Sequence, residues 1–213
     1  MKRLFMSVIL FWFATLSFAS NPAYEKAMQQ AISQLEEAAS PETYQAAANQ
    51  FQRIAQVEQD EWLPLYYASY AYIIQAARSG GAEQKDQSLD QAQALLDKAK
   101  LINPAESELV TLQGYLHMIR VTVDPASRGP ELAGKATQTL AQAVQMNPDN
   151  PRAFLLLGQM QYGTAQFFKS NTSEACGLIG QAVAKFKQMD SQDTLMPHWG
   201  EATAQAAQQR CSP

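Results

Sequence analysis

The chain has 213 residues, 46% of them hydrophobic and 17% charged, with ten Gly and ten Pro. That supplies a core for one domain or a short repeat array and excludes global disorder, collagen-like and low-complexity classes. The formal net charge of −4 argues against a nucleic-acid binder, whose footprint is a basic excess.

The first segment reads as an address. Lys2 and Arg3 precede an apolar run from Leu4 to Leu16, and Ser17-Phe18-Ala19 follows with small residues at both flanks. This order is that of a secretory signal, with cleavage expected after Ala19. The run is about 13 residues, short of the roughly 20 that cross a bilayer. Residues 20–213 are then expected as one exported, periplasmic or secreted domain, with no integral membrane segment in the mature chain.

Past the leader, Ala, Gln, Glu, Leu and Met dominate, which favours helix throughout. The pattern predicts helices over 22–38, 41–57, 61–78, 88–102, 106–121, 131–146, 151–167, 173–188 and 198–210. That makes four helical pairs and a terminal cap, an all-α solenoid. A cap is expected because the last repeat would otherwise leave an apolar face open.

Self-comparison supports repeats. Leu95 to Pro104 matches Thr139 to Pro148 at an offset of 44, which also carries Ala92 onto Ala136 and Gly114 onto Gly158. A later copy lies 39 on, with Ala136 onto Ala175 and Ala143 onto Ala182, and an earlier one 45 before, with Ala47 onto Ala92. The best-defined stretches are 88–147 and 151–189. A small residue, a large one four on and a small one three further share one helix face. The small residues admit a neighbouring helix, and Asn-Pro stops the helix because a residue before Pro avoids the α region. Ala68, Gly114 and Gly158 are expected at the crossings of each first helix with its partner.

These residues resemble the tetratricopeptide repeat (TPR) family, most clearly from Asn147 through Phe154, Leu157, Gly158 and Tyr162 to Ala175 and Ala182. The departure is length: a standard repeat has about 34 residues. The excess falls between the helices of each pair, at Ser79 to Ser88, Val121 to Pro130 and Thr164 to Thr172, and is expected as long loops. Glu61-Trp62-Leu63-Pro64, Val123-Asp124-Pro125 and Pro197-His198-Trp199-Gly200 also resemble a family of exported bacterial TPR proteins without assigned activity.

The resemblance implies binding through a concave face built from fixed places in the first helices. Those places hold Trp62, Leu65, Ser69 and Tyr72; Glu108, Thr111, Tyr115 and Met118; and Arg152, Leu155, Gln159 and Tyr162. Of the Lys, Asn and Arg that a carboxylate clamp of this family needs, only Arg152 is present. The implied function is a non-enzymatic scaffold for a protein or peptide partner. The alternative is a small-molecule or lipid binder that works beside a transporter.

Chemistry is otherwise sparse. No G-x-S-x-G and no phosphate-binding loop occurs, and His is found only at 117 and 198. His117 reads as a packed helix residue and His198 as the opening of the last helix. No metal site, cofactor or catalytic residue is expected. Asn171-Thr172-Ser173 fits the glycosylation pattern but reads as chance. Asp124 and Arg128 are placed to pair and order their loop. Cys176 and Cys211 can end level on an antiparallel hairpin of helices. A disulfide there would pin the cap; the other reading is a buried Cys176 and an unrelated tail thiol.

Overall fold

The computed structural model describes residues 21–189 and 193–211, so the expected leader lies outside the described residues. In chain order the helices are α1 (Pro22–Glu36), α2 (Pro41–Val57), α3 (Leu63–Arg78), α4 (Ala82–Ile102), α5 (Ser107–Val121), α6 (Pro125–Met146), α7 (Pro151–Phe167), α8 (Ser173–Gln188) and α9 (Glu201–Arg210). Successive helices pack as antiparallel pairs, and α9 lies against α8. No helix among the described residues is long and apolar enough to cross a membrane.

Local chemistry sets the starts. Pro occupies the first turn of α1, α2, α3, α6 and α7, where its missing N–H has no helical partner to lose. Asn21, Ser40, Asp124 and Asn150 accept hydrogen bonds from first-turn amides, which satisfies donors that would otherwise be orphaned. The stops follow Asn-Pro: Asn103 and Asn147 leave the helical region with ψ of 79° and 97°.

The repeat register is visible as burial. Ala92, Ala136 and Ala175 are fully or almost fully buried, as are Ala99, Ala143 and Ala182. A Cβ on Gly114 would lie 2.4 Å from Leu140 Cγ, and one on Gly158 would lie 2.8 Å from Ile179 Cγ1. Helices α5 and α7 therefore cross their partners at a distance that only Gly permits. Gly158→Leu should cost about 1–3 kcal/mol by overpacking. A thermal melt checks this, and an unchanged Tm would place the crossing elsewhere.

The expected long loops are corrected. α4 begins at Ala82 and α6 at Pro125, so the first two insertions lengthen second helices, and the turns before them span only 79–81 and 122–124. Only the third keeps a longer connection, 168–172. Pro130 lies inside α6, early enough that the helix forfeits one bond to the Ala126 carbonyl and continues. The last helix opens at Glu201, so exposed His198 precedes it rather than opening it.

The expected Asp124–Arg128 pair is also corrected. Asp124 caps α6 through the Ser127 amide at 3.2 Å and hydroxyl at 2.6 Å. Arg128 instead makes a two-pronged bond to Asp86 of α4 at 2.6 and 2.8 Å. Lengthened α4 brings Asp86 to it, so the pair ties two second helices together. The Arg128 guanidinium in turn holds the Asp86 carboxyl below its usual range.

Candidate functional site

The cap is preceded by a strap, residues 193–200, that lies against α1 and α3. Tyr67 donates to the Leu195 carbonyl at 2.9 Å, and Gln29 of α1 donates to the Thr194 hydroxyl. Leu195 and Met196 pack on the N-terminal core. Gly200 turns the chain into α9 with φ of 111°, a conformation that favours glycine. A Cβ there would also meet Phe186 at 2.8 Å. The strap places Trp199 against α3 and α5. Its ring stacks on Tyr70 at 4.8 Å and on Tyr115 at 6.0 Å, and its Nε1 donates to Tyr66 at 2.9 Å.

Under this ring lies a buried ionic centre. Arg152 Nε is 3.0 Å from both Glu108 oxygens, and Nη2 is 2.8 Å from Oε1, with the two side chains only 4% and 5% exposed. Arg152 Nη1 donates to the Trp199 carbonyl at 3.4 Å, and Tyr66 donates to Glu108. Burial works against the Arg152 charge, but the Glu108 carboxylate outweighs it and raises the guanidinium further. Burial and Glu108 together push the Tyr66 phenol far up.

Beside Trp199 opens a cavity of about 370 Å³, within the usual size of small-molecule sites. Its walls include Tyr44, Tyr67, Tyr70, Tyr115, Leu155 and Trp199, with Arg78, Glu36 and His198 as the charged or ionisable lining groups. Burial raises the phenols of Tyr67 and Tyr70 and pushes Tyr115 up to about 12. The tyrosines therefore stay neutral, and the aromatic part of the wall carries no charge. Such a surface favours a planar apolar ring by stacking.

Of the residues expected in the groove, Tyr115, Leu155 and Gln159 line this cavity. Gln159 and Tyr162 line a smaller one of about 160 Å³ with Ile179, Ala207 and Arg210. The others are placed elsewhere. Leu65 is in the core, buried Ser69 donates to the Ala92 carbonyl of its partner helix, and Tyr72 accepts from Gln45 and Gln52 of α2. Trp62 meets Tyr66 edge-on, and Met118 packs beside Leu140. Thr111 accepts from Asn150, and Glu108 and Arg152 form the buried pair. On α3 the cavity wall is formed by Tyr67, Tyr70, Ile74 and Arg78, so Tyr70 stands one residue beyond the Ser69 of the register implied by the family.

Sequence reasoning misses the stripe Tyr67, Tyr70, Ile74 and Arg78, whose spacing of three, four and four puts it on one face of α3. That spacing is the signal that could have found it. His117 is a packed residue, as expected. Its Nε2 meets Gln113 at 3.3 Å, and burial, with Lys135, Lys100 and Arg120 nearby, lowers its pKa to about 4. Asn171 accepts from the Ser173 amide at 2.7 Å in the turn that leads into α8. Cys176 and Cys211 are joined, with Cα atoms 5.6 Å apart. Among the described residues no group of His, Cys, Asp and Glu is arranged to hold a metal ion.

No family model and no curated protein sequence matches this chain. Among solved structures, it is similar to the HusA haemophore from Porphyromonas gingivalis, with a TM-score of 0.81 and 28% identity over 92% of this chain and 96% of that one. A thermophilic TPR protein of Thermus thermophilus matches at a TM-score of 0.58 and 17% identity, over 89% of this chain and 82% of that one, a likeness of fold alone. The chain is a TPR-like helical-repeat protein, an all-α solenoid.

Proposed function

We propose that this protein is an exported, non-enzymatic carrier that binds a porphyrin-type ligand, haem being the nearest example, in the cavity beside Trp199. The observation that carries the reading is the neutral aromatic wall of Tyr70, Tyr115 and Trp199 around a 370 Å³ space. The similarity to a haemophore along almost the whole of both chains supports it. The apolar leader and the disulfide support export, since disulfides persist in oxidising compartments. This puts the small-molecule alternative ahead of the peptide scaffold, because most of the groove positions implied by the family are packed inside.

Haem titration tests it. Trp62 and Trp199 are the tryptophans after the leader, so a Trp62→Phe protein reports on Trp199 alone. Haem should quench that fluorescence at one equivalent. Tyr115→Ala should weaken binding by roughly tenfold or more, the worth of a lost buried aromatic face. Tyr162→Ala, in the smaller cavity, should leave the affinity unchanged. Absence of quenching, or equal binding by Tyr115→Ala, would remove the reading.

A further inference from the structure

We infer that Arg78 is the specificity-determining residue of the cavity, the group that recognises a carboxylate on the ligand's outer edge. This rests on the porphyrin reading and says how the ligand is oriented. α3 carries Tyr70 and Ile74 on the cavity wall and ends at Arg78 on the same lining stripe. Eight residues of helix separate Tyr70 from Arg78, about 12 Å along the axis. A flat macrocycle that stacks on the inner rings thus presents its outer edge to the guanidinium. In haem one edge carries both propionates.

Arg78 is preorganised for that role. Its Cζ lies 5.1 Å over the Tyr44 ring, and Nη1 donates to the Ala39 carbonyl at 3.3 Å. These contacts hold the guanidinium without neutralising it. The contrast with its neighbours is direct: Arg120, Arg128 and Arg152 bind Asp90, Asp86 and Glu108. Arg78 is exposed, and its hydrogen bond goes to a carbonyl. A planar fork of donors matches a carboxylate in two-pronged geometry. Glu36 of α1 also lines the cavity and is exposed, so it opposes an anionic ligand and sharpens the orientation.

The test compares haem with its dimethyl ester, which keeps the ring and lacks both negative charges. Wild-type protein should bind haem about tenfold more tightly than the ester, less so at high salt. Arg78→Gln should weaken haem about tenfold and leave the ester unchanged, which a merely structural role would not do. Arg78→Lys should recover part of the loss, and Glu36→Gln should tighten haem but not the ester. If wild-type protein binds both ligands alike and Arg78→Gln changes neither or both equally, the carboxylate assignment falls while the porphyrin reading stands. If wild-type protein binds neither, the porphyrin reading falls and takes this inference with it.

Discussion

Arg152→Met should cost about 3–5 kcal/mol, because it leaves the Glu108 carboxylate buried without its cation. The loss exceeds the ordinary worth of an ion pair for a physical reason. Both groups were already taken out of water, and only their mutual contact offsets that cost. Removing both should cost much less, so Glu108→Leu/Arg152→Met should regain most of the stability lost by the single change. Urea denaturation of the two single variants and the double variant closes the cycle and isolates the coupling. A single-variant loss below about 1 kcal/mol would mean that water reaches the pair. The double variant separates stability from site geometry as well. It lacks the donor that holds the Trp199 carbonyl, so if the proposed porphyrin reading holds, haem should bind it more weakly even where stability has returned.

The second large effect is expected at the disulfide. Cys176→Ser/Cys211→Ser should lose about 3–4 kcal/mol, the loop-closure value for a 35-residue separation. For a chain of this size that is a fall in Tm on the order of 10 °C. The cap has little else to hold it: α9 has ten residues and buries only Ala204 and Ala207. Hydrogen exchange should show the loss concentrated in α9 and the strap, with α3 and α5 unchanged. A reduced protein with an unaltered Tm would show that the bond constrains nothing.

The repeat architecture is legible in the sequence because its signal is periodic and steric. Ala92, Ala99, Ala136 and Ala143 recur at fixed spacing, and a small residue at a helix crossing has one geometric meaning. The helix starts are harder to read. Pro130 resembles a first-turn proline, yet Asp124 and Pro125 provide a better start upstream, so the insertion becomes helix. The concave register on α3 slips by one when Ala68 is aligned with Gly114. On a helix, one residue turns a side chain by about 100°, enough to exchange Ser69 for Tyr70. Trp199 is beyond the reach of periodicity altogether. It lies outside any repeat, and its place against Tyr70 is set by contacts between distant parts of the chain.

Those contacts also change what kind of folding reaction this is. In an ordinary repeat array each unit meets only its neighbours, so order can begin anywhere and spread. Here the strap joins positions 128, 133 and 165 residues apart and turns an open row into a closed circuit. Distant pairings of this sort slow folding and raise cooperativity, since the entropy of closing the loop comes due before the contacts form. The binding cavity inherits that timing. The tyrosine walls on α2, α3 and α5 are laid down early in the chain, but Trp199 arrives last, so a ligand can be gripped only after the circuit has closed.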